Sequence, residues 1–189
     1  MQKIIALIMI TLLTLCTAVF AGNPAATESS NKGGILYGSD VGVSVTAPAG
    51  WVFDSQSGIN QGLRGVFYPK GSTWLDSKQM MYVNIVKMEP GKKLGEFIMA
   101  DIQDFAQNTP GLNVAKQKSL TIKGGIQAEV WQFTSDNGSF EESAYAQKDS
   151  SVIVYVLSSK TKEDYEKSRA AFAEMVSKSS VVKPLAKKN

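Results

Sequence analysis

The stretch Val152-Ile153-Val154-Tyr155-Val156-Leu157 decides the fold, because six apolar residues follow one another with no polar position among them. A strand turns successive side chains to opposite faces. A run of this kind therefore needs cover on both faces and marks an inner strand of a sheet. Working backwards, residues 114–122, 126–133 and 139–147 read as strands separated by the turn signals Lys123-Gly124-Gly125 and Asp136-Asn137-Gly138, with Asp149-Ser150 before the central run. Short turns between successive strands imply an antiparallel meander. Working forwards, Thr161 is a good helix N-cap and Asp164 suits the positive end of the helix that follows. That helix, from Lys162 to about Ser177, is expected to bury Tyr165, Phe172, Met175 and Val176.

Further upstream, Leu94, Phe97, Ile98, Ile102 and Phe105 recur at helical spacing between Pro90-Gly91 and Thr109-Pro110-Gly111, so a second amphipathic helix covers one face of the sheet. Residues 80–87 and 65–68 read as strands, the latter closed by Pro69. Val41, Val43, Val45 and Ala47 alternate with Gly42, Ser44 and Thr46, the period of a half-buried strand, which Pro48-Ala49-Gly50 ends before Trp51-Val52-Phe53. Residues 54–64 and 71–78 read as loops. The order is strands, a helix, four strands and a closing helix: an α+β domain with an antiparallel β-sheet packed by helices. The expected domain spans residues 35–180, between a small, polar, flexible leader at 22–34 and a basic tail at 181–189 that carries Lys183, Lys187 and Lys188.

The first 21 residues have the plan of a cleavable secretory signal peptide. Lys3 gives one positive charge, Ile4 to Cys16 is almost wholly apolar, and Thr17-Ala18-Val19-Phe20-Ala21 leads into Gly22-Asn23-Pro24, so cleavage is expected after Ala21. The apolar run is short of the roughly 20 residues of a membrane span and is interrupted by Thr11 and Thr14. Leu13-Thr14-Leu15-Cys16 resembles a lipobox, but the bulky Leu15 stands where a small residue precedes the acylated cysteine, which argues against a lipoprotein. The expected location is the periplasm or the exterior, with no membrane span once the signal is removed.

About 168 residues then remain, enough for one core without staples. Cys16 is the single cysteine and leaves with the signal, so the mature chain has no disulfide. Its net charge is about +2 and its basic residues are scattered, which excludes the concentrated patch of a nucleic-acid binder. There is no histidine. That absence excludes Ser-His-Asp and Cys-His catalysis and ordinary zinc sites, so no metal and no cofactor is expected.

Val43-Ser44-Val45-Thr46-Ala47-Pro48-Ala49-Gly50-Trp51 is a strand running into a P-x-G-W turn. Together with Val154-Tyr155-Val156-Leu157-Ser158-Ser159-Lys160, Glu163-Asp164-Tyr165 and Phe172, it resembles the PsbP-like family, including its exported bacterial, DcrB-like members. The resemblance spans nearly all of residues 35–180. It implies an α/β/α sandwich and a binding or assembly role, and it carries over no functional residue.

Several constellations suggest chemistry, each with a plainer account. Ser159-Lys160-Thr161-Lys162 fits S-x-x-K, but the S-D-N and K-T-G companions are missing and a strand end entering a helix cap explains these residues. Asp101 with Asp104, and Glu141 with Glu142, are candidate acid/base pairs. The first pair lies on the polar side of the helix, and Glu141 and Glu142 alternate across a strand, so both pairs are expected to be solvated surface. Asp136-Asn137-Gly138 is too short for a calcium loop and reads as a hairpin turn. No catalytic residue is therefore assigned. Among the aromatics, Trp131 reads as sheet packing and Trp51 as a plug at the core's edge, while Trp74, in a polar loop with Gly71, Ser72 and Thr73, is the expected exposed anchor. Trp74, Trp51 and Tyr68 form the candidate contact set for an envelope protein or a small ligand. The leading expectation is a non-enzymatic exported binding or accessory protein. The alternatives are a histidine-free hydrolase and a structural or secreted effector protein.

Overall fold

The computed structural model describes residues 32–136 and 138–183. The signal segment, Cys16, most of the expected leader, Asn137 and residues 184–189 lie outside the described residues.

The apolar run forms the heart of β9 (Ser151–Ser159), which is buried at every position but Ser158. It pairs antiparallel with β5 (Gln79–Lys87) on one side and β8 (Phe140–Lys148) on the other. β4 (Val66–Pro69) and β3 (Trp51–Asp54) extend the sheet beyond β5, and β7 (Ile126–Thr134) and β6 (Asn113–Ile122) extend it beyond β8. The order β3-β4-β5-β9-β8-β7-β6 places β9 at the centre of seven strands, and β6 to β9 form the expected antiparallel meander.

The two faces of β9 carry two cores. Ile153, Tyr155 and Leu157 pack with Tyr165, Phe172, Met175 and Val176 of α2 (Lys162–Lys178). Val152, Val154 and Val156 pack with Ile98 of α1 (Leu94–Asn108). The helices therefore lie on opposite faces and the protein is an α+β sandwich of helix, sheet and helix. Burying each large apolar side chain contributes roughly 1.5–3 kcal/mol over leaving it exposed. At the start of α2, Thr161 Oγ1 accepts from the Asp164 N–H at 3.1 Å, the cap read from the sequence. At its end, the Tyr155 hydroxyl and Ser179 Oγ meet at 2.7 Å in the interior and tie α2 to β9.

Three strands stand apart in a second sheet of order β1-β2-β10 on the α2 side, where Leu36, Val43 and Val45 join the core cluster. β1 (Gly33–Tyr37) and β10 (Ser180–Val182) both pair with β2 (Gly42–Thr46). The expected boundaries shift accordingly. Gly33 and Gly34 belong to a strand rather than to a leader, and Val181 and Val182 belong to a strand rather than to a tail. Neither segment shows a readable period by itself, because each is held by β2 through long-range pairing. The glycines are a steric requirement: a Cβ on Gly33 would lie 2.1 Å from the Val45 carbonyl oxygen, and one on Gly34 would lie 2.8 Å from Cε1 of Phe53. β1 thus rests flat against the Phe53 ring.

Gly34→Val should lower stability by about 1–3 kcal/mol, the usual cost of forcing extra methyl groups into a packed site. Thermal denaturation is the check, and an unchanged midpoint would show that β1 does not rest on Phe53.

Candidate binding site

A groove of about 440 Å³ runs along β1 and is closed on its far side by Phe53, Ser55 and Arg64. Its wall is an unpaired strand edge. The Ala47 N–H donates to the Lys32 carbonyl at 2.7 Å, and the Gly38 N–H donates to the Val41 carbonyl at 2.8 Å. With the register Gly34↔Val45 and Leu36↔Val43, these bonds make the even-numbered residues the ones bonded to β2. In an antiparallel pair the alternate residues turn their N–H and C=O the other way, so Gly33, Ile35 and Tyr37 present theirs to the groove. Arg64 Nη1 donates to the Tyr37 carbonyl. Among the described residues no carboxylate pairs with Arg64.

Exposed strand edges invite pairing with other chains and are commonly guarded by charge, shortness or a bulge. β6 carries Lys116 and Lys118 with a break in register between Gln117 and Leu120. β3 has four residues and ends in Asp54, and β10 has three. β1 has five residues, with no charge, proline or register break, and Ile35 is 48% exposed on it. Among the described strands it is the edge without a guard.

A second cluster lies beneath α1. Asp101 of α1 accepts from the Tyr145 hydroxyl of β8 at 2.6 Å. On the same face of β8 stands Glu141, 8% exposed, with Ser143 Oγ 3.4 Å from its Oε1 and no hydrogen-bond partner for its Oε2. Burial first, and the charge of Asp101 second, push the Glu141 carboxyl up to about 8. Burial raises Asp101 as well, against the hydrogen bond from Tyr145, and it holds the Tyr82 hydroxyl far above its ordinary value. The expected solvated surface is corrected here. Glu141 and Glu142 do face opposite ways, yet Glu142 is 5% exposed, accepting from the Tyr165 hydroxyl and from Arg169 Nε at 3.2 Å. Carboxylates read as surface in a sequence; these two are inside because β8 lies next to the central strand and a helix covers each face.

A carboxyl held protonated near neutrality is suited to proton donation. The cavity beside Glu141, lined by Phe105, Phe133 and Ser139, measures about 20 Å³, room for a single water. Among the described residues no cluster of three His, Cys, Asp or Glu side chains is placed to hold a metal, and no helix is long and apolar enough to cross a membrane.

The aromatic set does not converge. Trp51 shares a face of β3 with Phe53 and packs against the core cluster, whereas Tyr68, opposite Val52, points the other way and donates to Asp54 at 3.0 Å. Trp74, expected as an exposed anchor, is 6% exposed. The loop makes a helical turn, in which the Ser77 N–H donates to the Thr73 carbonyl at 3.0 Å and Thr73 Oγ1 accepts from the Asp76 N–H at 3.3 Å. One side of that turn, Trp74 with Ser77, is thereby buried, while Leu75 is left 78% exposed. Polar neighbours had suggested exposure, but the turn decides which of them faces inwards. Ser159 is buried at the end of β9 and Lys162 is exposed on the first turn of α2. The edge at β1 carried no sequence signal beyond its two glycines.

No family model and no curated protein matches the sequence. Solved structures do. Cyanobacterial PsbP from Synechocystis sp. PCC 6803 is 16% identical, with 74% of this chain and 86% of that one covered at a TM-score of 0.49. LpqN of Mycobacterium tuberculosis, involved in cell envelope biogenesis, is 14% identical over 74% and 83% of the two chains at 0.47. The Ran-binding protein Mog1p of Saccharomyces cerevisiae is 10% identical over 71% and 82% at 0.42. PsbP is the family that residues 43–51, 154–160, 163–165 and Phe172 resemble. At these identities and scores the likeness is one of fold outline, and the roles of these proteins are not transferred.

Two outcomes test the interior. An acid whose pKa is higher folded than unfolded leaves stability intact below its unfolded pKa and erodes it as pH rises to the folded value. The charge on Glu141 should therefore destabilise the protein increasingly between pH 4.5 and about 8. Glu141→Gln should flatten that decline, giving a higher thermal midpoint than the parent at pH 8 and a similar one at pH 4.5; parallel curves would place Glu141 in water. Trp74→Ala should cost about 3–5 kcal/mol, as for other buried tryptophans, measured by urea unfolding. A surface tryptophan would cost little.

Proposed function

We propose that the protein is a non-enzymatic binding or accessory protein of the bacterial envelope, exported by residues 1–21, which holds its partner in the groove along β1. One observation supports this reading most: a groove of about 440 Å³, within the range of roughly 300–1,000 Å³ in which ligand sites fall, is walled by an unguarded strand edge and carries an arginine with no carboxylate partner among the described residues. The cavity at Glu141, by contrast, admits one water, so no acid/base chemistry is proposed there.

The aromatics singled out in the sequence enter as supports. Trp51 stands two residues before Phe53 on the same face of β3. Tyr68 holds Asp54, the residue before Ser55. Trp74 packs inside the domain.

The test is site-specific photocrosslinking in the source cells, with a benzophenone side chain at Ser55 in the groove or at Lys167 on the exposed surface of α2. A discrete envelope adduct from position 55 and none from position 167 is expected. Equal labelling from both, or none from position 55, would sink the groove as the binding site. Export is checked separately, by finding Gly22 as the N-terminus of the protein in the envelope fraction.

A further inference from the structure

We propose that the occupant of the groove is an extended peptide segment of a protein partner, which adds to β1 as a further antiparallel or parallel strand and places an acidic side chain against Arg64. The proposal rests on the reading of the β1 groove as the binding site and adds the chemistry of what fills it.

Extended backbone is indicated by the repeat of the outward-facing groups. Gly33, Ile35 and Tyr37 turn towards the groove at every second residue, an interval of about 6.6–6.8 Å along a strand. A second strand presents donors and acceptors at that same interval, whereas a compact small molecule meets one such position at a time. Pairing of this kind takes its affinity from the main chain and its selectivity from alternate side chains. Selectivity here has two sources. Ile35, 48% exposed on the edge, gives the groove an apolar side, and Arg64 at the Tyr37 end is the charged residue among the described residues that line it.

Arg64 already spends Nη1 on the Tyr37 carbonyl. That bond closes one acceptor of the edge and holds the guanidinium of this exposed residue beside the strand, where its other N–H groups can meet an acceptor from outside. A carboxylate is the acceptor best matched to a guanidinium fork. A second copy of this chain fits less well. If two β1 edges paired antiparallel about Ile35, each Arg64 would face the other copy's Gly33, which offers no charge.

The experiment selects a phage-displayed library of random twelve-residue peptides on the purified protein, then measures the enriched peptides by fluorescence anisotropy. Enrichment of alternating β-branched or aromatic residues with an Asp or Glu is expected. Ile35→Pro removes an outward N–H without touching the bonds to β2, as an edge position allows, and should weaken binding at least tenfold. Arg64→Gln should weaken the acidic peptides about tenfold and leave their glutamine analogues unchanged. N-methylation of the peptide on one set of alternate amides should abolish binding, and on the other set should not; this arm stands even if Ile35→Pro fails to fold.

No enrichment, binding indifferent to Ile35→Pro, or equal tolerance of both N-methylation patterns would overturn the proposal. So would a dimer in sedimentation that Ile35→Pro dissociates, which would make a second copy the occupant. A crosslink from position 55 that persists in the Ile35→Pro variant would leave the groove as the binding site while removing strand pairing; absence of that crosslink in the protein without the Ile35→Pro change would remove both.

Discussion

β9 has to be covered on both sides, and the rest of the molecule is arranged around that demand. Six consecutive apolar residues divide by alternation into Ile153, Tyr155 and Leu157 on one face and Val152, Val154 and Val156 on the other. Each set needs its own apolar partner, so α1 and α2 take opposite faces. The small sheet adds to the α2 side, where Val43 and Val45 complete the core. Because β1 lies at the margin of this second layer, it reaches over the outermost part of the large sheet and comes to rest on Phe53. The groove is a consequence of where the second layer ends.

The same two-sided burial separates the two neighbouring carboxylates of β8. Glu142 faces α2 and meets a hydroxyl and a guanidinium, so its charge is compensated. Glu141 faces α1 and meets Ser143, a second acid and a cavity of about 20 Å³. Side by side in sequence, they meet different surroundings: α2 offers Glu142 a guanidinium and a hydroxyl, whereas burial first and the charge of Asp101 second push the Glu141 carboxyl up. Taking a charge out of water without a partner is costly, and the chain meets that cost at Glu141 by keeping the proton.

Guarding of the sheet edges is uneven, and the unevenness carries the functional reading. Lysines, a break in register or mere shortness protect β3, β6 and β10, each a familiar means of discouraging edge pairing. β1 has none of these and is flanked by an arginine with no carboxylate partner among the described residues. Retaining an open edge is understandable if the edge is used.

Elements and their order were legible in the chain because they are set by neighbours in sequence. A period of two or 3.6, glycine and proline at the turns, and a threonine cap placed the four-strand meander, both helices and the α+β class from residues alone. Trp51 was placed at the core's edge correctly for the same local reason, a turn followed by an apolar strand. What lay beyond reading depends on partners far along the chain. Val181 and Val182 become a strand only because β2 has a free side; Glu141 and Trp74 are buried only because a helix packs down on one and a loop turn rotates the other. The open edge of β1 exists only because no strand other than β2 pairs with it among the described residues. Local chemistry determines which segments are strands and helices, while solvent exposure, protonation and open edges belong to the packed whole.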